Sequence, residues 1–430
     1  MSVDSGAASG PPPRRRSGYR PRTFPDMLYG EVHLSGWIAP LLDTPPFRRL
    51  AGVSLSDVPG EILFQHPFPS RLDHARGVYA LARAARPRDR ALHVAALAHD
   101  LGHGPLSHLT EPLMRERLGI DHEQRSALLL RYVRDALSPT ARRQITWLDW
   151  DEVAALMLGQ TSDGRGALLN GRMDYDNLDY VARFLRAGDL GTPGYNPRDL
   201  ARALRPWPAD APEGEAESPD RADVVLLPQG ADGARAWLSD RATLYAWLHE
   251  GHRDLAAHAM LRKAVDLAAQ AEVIADGFFD MTDSAALAYL SRRGRSGQAR
   301  LVEHVLQDAL YPCIWEAEIP RERPAVVDLF ALWRNRLALE DTLAAEAGLA
   351  PDEVVADVLV SSAYRELPPL LTTQGADTLV EDTPQEEPPW IFHLFVSPTA
   401  GRDYRRRLHM AAERHLGALG AMALPSSSRH

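Results

Sequence analysis

The 430 residues are 45% apolar and 25% charged, carry a formal net charge of −10 at pH 7, and include a single cysteine, Cys313. That is ordinary globular composition, and the acid excess argues against a protein that coats nucleic acid. The lone thiol excludes an internal disulfide and a thiolate zinc cluster and points to a reducing, cytoplasmic setting, while no uncharged apolar run approaches the ~18 residues of a membrane span or resembles the core of a secretory signal.

In chain order, residues 1–24 combine a Pro-Pro-Pro run with Arg14, Arg15 and Arg16 and read as a disordered basic tail. From Ala75 to Ala85 apolar residues recur at helical spacing (Val78, Leu81, Ala82, Ala85), and Pro87 follows as a stop. Asp89 is placed to cap a second helix through Leu92, Ala95, Ala96 and His99, which Gly102 and Gly104-Pro105 end. Further helical patterns fall near 122–137, 151–158 and 174–187. Residues 205–222 are proline-rich and acidic and read as an inserted loop. Asp223–Leu227 and Ala234–Leu238 suggest a small hairpin. A long helix is expected from Arg241 to about Ala275, with others over 282–292, 297–310 and 325–347. Residues 372–390 form a second acidic loop, and Trp390–Val396 reads as a strand. The resulting division is a tail at 1–24, a helical core at 25–204, the loop at 205–222, a hairpin and helices completing the core at 223–365, and a small α+β lobe and tail at 366–430. The fold class is all-α: a helical bundle with a small α+β C-terminal lobe.

Histidine is unevenly spread. His66, His74, His93, His99, His103, His108 and His122 place seven of the sixteen histidines between 66 and 122. The string from His99 to His108 reads His-Asp-Leu-Gly-His-Gly-Pro-Leu-Ser-His. Neighbouring side chains on a helix diverge by about 100°, so His99 and Asp100 would flank a cation seated against the helix end. Imidazole with carboxylate suits Mn, Mg, Fe or Zn. His103, four residues on, is expected on the same helical face as His99, and Pro105 is placed to start the next helix. His93, six residues before His99, faces away and reads as structural. Upstream stands His74. Downstream, Met173-Asp174-Tyr175-Asp176-Asn177-Leu178-Asp179-Tyr180 offers three acids on a helical pattern.

The order His, then His-Asp, then a distant Asp resembles the HD-domain phosphohydrolases, and within them the deoxynucleoside triphosphate triphosphohydrolase branch. The likeness extends to Thr44–Leu50, Asp121–Ser126, 174–180, the stretch from Arg241 through Leu244, Tyr245 and Met260, and Leu343–Asp357. The resemblance covers roughly 31–365 and implies the HD fold, one divalent metal ion, a nucleotide substrate and a homo-oligomer. It implies His74, His99, Asp100 and Asp176 as metal ligands, with Asp174 the rival of Asp176. His103, His122 and Glu111 match the groups used near the scissile phosphate. His122 would act as general acid or base oriented by Glu111, and His103 would donate to the phosphate. Arg71, His108, Asn177, Tyr180, Arg241 and His249 would line the phosphate and sugar region.

Three positions depart from the pattern the resemblance leads one to expect. Leu55 stands where the branch has a glutamine that reads the deoxyribose. Asn177 replaces a lysine, and Phe184 replaces an acid that contacts the sugar. The expected activity is nucleoside triphosphate hydrolysis to nucleoside and inorganic triphosphate, with a nucleotide sensor or a dinuclear HD phosphodiesterase or oxygenase as alternatives.

Overall fold

The computed structural model describes residues 19–207, 224–292, 296–319, 332–359, 370–372, 375–377 and 390–424. Short side chains set the helix starts that matter for the site. Ser70 accepts a hydrogen bond from Asp73 N and Asp73 accepts one from Ser70 N, a reciprocal cap that opens the helix Arg71–Ala85. Asp89 caps Arg90–Ala98. Asp121 and Gln124 repeat the reciprocal cap at His122–Ala136, and Asp174 caps Tyr175–Ala187. Each cap satisfies N–H groups that the first turn of a helix leaves unpaired.

Three apolar cores follow. The first packs Arg71–Ala85 against Arg90–Ala98 and Tyr175–Ala187 through Val78, Leu81, Leu92, Ala95, Leu178 and Val181. The second gathers His252–Gln270, Asp283–Ser291 and Gly297–Leu306 around Met260, Phe279 and Leu301. The third belongs to the C-terminal lobe. The chamber described below lies between the first two, with walls from both.

The strands are β1 (Arg22–Asp26), β2 (Gly30–Leu34), β3 (Leu204–Pro206), β4 (Val224–Leu226), β5 (Cys313–Ile319), β6 (Val354–Leu359), β7 (Leu370–Thr372), β8 (Gly375–Asp377), β9 (Trp390–Val396) and β10 (Met422–Ala423). β1 and β2 form an antiparallel hairpin. The lobe sheet runs β10-β5-β9-β6, antiparallel throughout, with Trp333–Ala347 and Arg402–Gly417 packed on it. A second small sheet runs β3-β4-β7-β8. The lobe is fastened to His252–Gln270 by buried Lys263, whose ammonium meets Glu340 at 2.9 Å and donates to the carbonyls of Pro351 and Val354.

The helical bundle with a small C-terminal αβ lobe is therefore present, and Trp390–Val396 is its central strand. Local differences have physical causes. The expected hairpin over 223–238 is absent: Val224–Leu226 pairs with Leu204–Pro206, a partner distant in sequence, and Ala234–Leu238 lies inside the helix Ala231–Glu250. There Ala234, Trp237, Arg241 and Leu244 are all buried at three- and four-residue spacing, a helical stripe that a five-residue window hides. The single long helix expected from Arg241 is two, Ala231–Glu250 and His252–Gln270, parted at Gly251. Of the expected tail at 1–24, residues 1–18 lie outside the described residues, and its last residues are already structured, because Arg22–Asp26 pairs as β1. The loop at 208–222, the start of the 325–347 helix and most of 372–390 lie outside the described residues.

Candidate metal centre

The His74 ring is fully buried one turn into its helix. Its Nδ1 lies 2.7 Å from Asp179 Oδ2 and carries the proton of that bond. Asp179 is held in turn by Arg183 (2.7 and 2.9 Å) and by the Tyr29 hydroxyl (2.7 Å). This outer carboxylate fixes the ring so that Nε2 faces inward. The close approach needs Gly77, since a Cβ there would sit 1.9 Å from Asp179 Oδ1.

His99 follows the last residue of Arg90–Ala98. Its Nδ1 donates to Ala96 O at 2.9 Å, and its Nε2 is buried with no hydrogen-bond partner. Around that nitrogen stand Asp100 Oδ1 at 3.4 Å and Asp176 Oδ1 at 3.7 Å. Asp176 Oδ1 is also 2.8 Å from His74 Nε2, and Asp100 Oδ2 is 3.8 Å from it. Donor atoms of His74, His99 and Asp100 all lie within 4.8 Å of one another. Ligands bonded to one divalent ion at about 2.0–2.2 Å stand this far apart. Two imidazoles with two carboxylates form a hard-to-borderline donor set, and the orphaned His99 Nε2 is a buried polar atom that a cation would satisfy. The residues fit one divalent metal ion, which His74, His99, Asp100 and Asp176 would hold. Asp174 takes the other role open to it: its carboxylate caps the helix, accepting from Asn177 N at 2.7 Å.

The electrostatics agree. Burial alone would depress the His74 imidazolium, yet hydrogen bonds to Asp176 and Asp179 push its pKa up to about 10. Burial would raise the Asp100 carboxyl, but His99, Arg71 and His103 hold it well below the usual range. Protons are drawn to the place where carboxylates demand positive charge, which is also where a cation would sit.

Beside this centre is a second histidine group. His103, His108 and His122 bring ligand atoms within 4.8 Å, and the rings of His103 and His122 stack at 3.9 Å. His103 is not on the His99 face of a helix: the helix ends at Ala98, and a turn carries His103 back until its Nε2 is 3.2 Å from Asp100 Oδ1. Burial, helped by Arg71 and His122, pushes the His103 pKa well down, so the ring is neutral. Glu111 joins the other two, 2.8 Å from His108 Nδ1 and 3.1 Å from His122 Nδ1. Its carboxyl stays ionised because those two rings outweigh its burial. Pro105 does not open a helix. Leu106 and Ser107 have φ of 59° and 49°, and the next α-helix is Glu111–Leu118.

That left-handed turn is held from several segments distant in sequence. Asp283 accepts from Leu106 N and Ser54 N, both at 2.7 Å. Arg49, half-buried, donates to Leu101 O and His103 O. Gly102 packs so tightly that a Cβ would lie 1.9 Å from His122 O, and its N–H donates to Ser126 Oγ at 2.7 Å. Asp179 lay inside a quoted motif, and its i,i+3 offset from Asp176 could have marked it as the outer partner of a ligand.

His103, His108 and His122, with Asp100 and Asp176 of the metal centre, line a chamber of about 550 Å³. Arg71, His108, Asn177 and Tyr180 line it. Arg71 is buried, with Nη1 2.9 Å from Asp100 Oδ2 and Nε 2.7 Å from Ser107 Oγ. Arg241 is 1% exposed and reaches the wall through Asn177 Oδ1 at 3.2 Å, its guanidinium 4.3 Å over the Tyr245 ring. The side chain of His249 lies outside the described residues. Leu55 and Phe184 are both buried in the chamber wall, Phe184 against Tyr180 and Phe68. His93 is apart from the site, with Nε2 on Arg86 O and its ring against Tyr79.

A helical core that brings His, His-Asp and Asp together at metal-binding distances defines an HD-domain protein, and residues 71–191 match the family described as HD domain. More particularly, the chain is an HD-domain protein related to the SAMHD1 branch. It is 30% identical over 132 residues to the deoxynucleoside triphosphate triphosphohydrolase SAMHD1 of Gallus gallus, a match covering 26% of this chain and 21% of that protein. The Homo sapiens protein of that name is 29% identical over 126 residues, covering 25% and 20%. A SAMHD1 homolog of Dictyostelium discoideum is 28% identical over 187 residues, covering 37% and 35%. The match thus spans about a fifth of the length of the vertebrate relatives. A hypothetical protein from Aquifex aeolicus of known structure superposes with a TM-score of 0.65 over 90% of this chain and 100% of that one, at 19% identity, which speaks to the fold alone.

Proposed function

We propose that this protein is a metal-dependent phosphohydrolase acting on nucleotides. The observation that carries the reading is the convergence of His74, His99, Asp100 and Asp176 beside His103, His122 and Glu111, at a chamber lined by Asp100, Asp176, His103 and His122. A divalent cation in that donor set supplies an activated water and polarises a phosphoryl oxygen. The chain's own residues do the rest. Glu111 holds His122 by Nδ1, leaving Nε2 to give a proton to the departing oxygen as general acid. His103 would donate to a phosphoryl oxygen through Nε2, which here lies 3.2 Å from Asp100 Oδ1. Arg71 adds fixed positive charge, and His108, Asn177, Tyr180 and Arg241 complete the surroundings of the phosphate and sugar.

One cation is preferred over two, because Glu111 already engages both His108 and His122. Turnover is preferred over a silent sensor, because all four expected ligand types are retained. The printed activity of the SAMHD1 relatives would make the substrate a deoxynucleoside triphosphate, cleaved to nucleoside and inorganic triphosphate; the charges of the chamber, taken up below, favour a shorter chain. A homo-oligomer in the cytoplasm is the accompanying expectation. No helix among the described residues is long and apolar enough to cross a membrane.

Purified protein incubated with Mn and a nucleotide panel, with products resolved by mass spectrometry, tests the reading. Metal-dependent product that disappears in Asp100→Asn supports it. Bound metal with no turnover of any nucleotide would sink it.

A further inference from the structure

Resting on the phosphohydrolase reading, we propose that the substrate is a nucleoside monophosphate, hydrolysed at its phosphomonoester bond, rather than a nucleoside triphosphate. The reason is the balance of fixed charge around the chamber. Beyond the candidate ligands, Asp57, Glu123 and Asp254 are among its lining residues, together with His103, His108, His122 and His258. The only Arg or Lys among its described lining residues is Arg71, and that guanidinium is already engaged by Asp100 and Ser107. Arg241 is spoken for as well, bonded to Asn177 and stacked over Tyr245. Asn177 itself is a neutral amide that also donates to Asp174 Oδ1 at 2.9 Å.

A phosphomonoester carries about two negative charges at neutral pH, and a divalent cation shared with the Asp100 and Asp176 carboxylates leaves no surplus positive charge for a longer chain. Every further phosphate adds a negative charge that must be met by a cation or left costly in a partly buried site. Phosphate chains are ordinarily met by arginine forks or lysines. Here the wall past the metal centre offers carboxylates and apolar surface instead. Asp254 is half-buried, and burial raises its pKa only to about 6, so it remains mostly ionised at pH 7. Leu55, Phe184, Tyr180, Tyr245, Leu248 and Leu255 make the remaining wall apolar or aromatic. That surface suits an uncharged nucleoside, whose base can stack on rings.

In the reaction a water oxygen bonds to phosphorus and the P–O5′ bond breaks. The O5′ leaves with the electron pair and takes a proton from His122. The proton lost by water goes to solvent or to the phosphate. The products are nucleoside and inorganic phosphate, and no oxidant or reductant is consumed.

The test compares kcat/KM of the full-length, Mn-loaded protein for deoxynucleoside and ribonucleoside 5′-mono-, di- and triphosphates, with products identified by phosphorus NMR. The expected result is inorganic phosphate from the monophosphate, with kcat/KM about tenfold or more above that for the triphosphate, because like charges brought together disfavour the longer chain. Preference for the triphosphate, with inorganic triphosphate released, overturns this inference and leaves the phosphohydrolase reading standing. No turnover of any form overturns both. Asp254→Asn sharpens the comparison. It should raise triphosphate turnover several-fold relative to monophosphate, and an unchanged ratio contradicts the charge argument.

Discussion

The two sides of the chamber are built differently. On the metal side three of the four candidate ligands are locked from behind: His74 by Asp179, His99 by Ala96 O, Asp100 by Arg71. On the opposite side, where a sugar and a phosphate chain would be read, Leu55 and Phe184 present hydrocarbon and Asn177 an amide tied to its own helix. The first region has a geometry that specifies a reaction class, because ligand distances admit few alternatives. The second narrows the substrate mostly by what it lacks. Function is therefore better defined at the reacting phosphorus than at the leaving group.

The largest expected effect breaks the metal side outright. His99→Ala or Asp100→Asn should cut turnover by roughly 10³-fold or more, the several kcal/mol a catalytic cation supplies. Elemental analysis should show the metal gone. His122→Ala should lower kcat by about 10²–10⁴-fold, the range for losing a general acid, while metal content stays at one per chain. A joint loss of metal would instead move His122 into the ligand set.

Removing an outer support should act more gently. Asp179→Asn should weaken metal affinity by about 10–100-fold, read by titration calorimetry. It should also lower the melting temperature, because it leaves buried Arg183 with fewer countercharges. Unchanged affinity would mean His74 is oriented by something else. Metal affinity should also climb as pH rises. In the cation-free protein His74 keeps its proton up to a pKa of about 10, and binding must release it, so a lower pH favours the proton and a higher pH the metal. The smallest change is Ser126→Ala, which removes the acceptor for Gly102 N–H and should cost about 1–3 kcal/mol of stability in chemical denaturation.

Much of the metal side was legible in sequence because its ligands fall in short, closely spaced strings. The choice between Asp174 and Asp176 needed the fold, since only the cap shows which carboxylate is occupied by backbone. His103 was misassigned to a helical face because Gly102 and the φ-positive turn at Leu106 end regular structure earlier than residue spacing suggests. Asp283 was invisible, and Arg49, though inside the Thr44–Leu50 segment, had no legible role: both support the turn from far away in sequence, through bonds to backbone that leave no pattern. The failed hairpin at 223–238 has the same origin, a strand whose partner is non-local. Where side chains act on their sequence neighbours the chain could be read. Where distant segments meet, it could not.

The most direct test of the metal centre is a crystal structure of the Mn-loaded protein with anomalous scattering. One peak is expected, bonded by His74 Nε2, His99 Nε2 and carboxylate oxygens of Asp100 and Asp176 at about 2.0–2.2 Å. A peak on His103, His108 and His122 instead, or a metal-soaked protein in which Asp176 turns away from the two imidazoles, would contradict it.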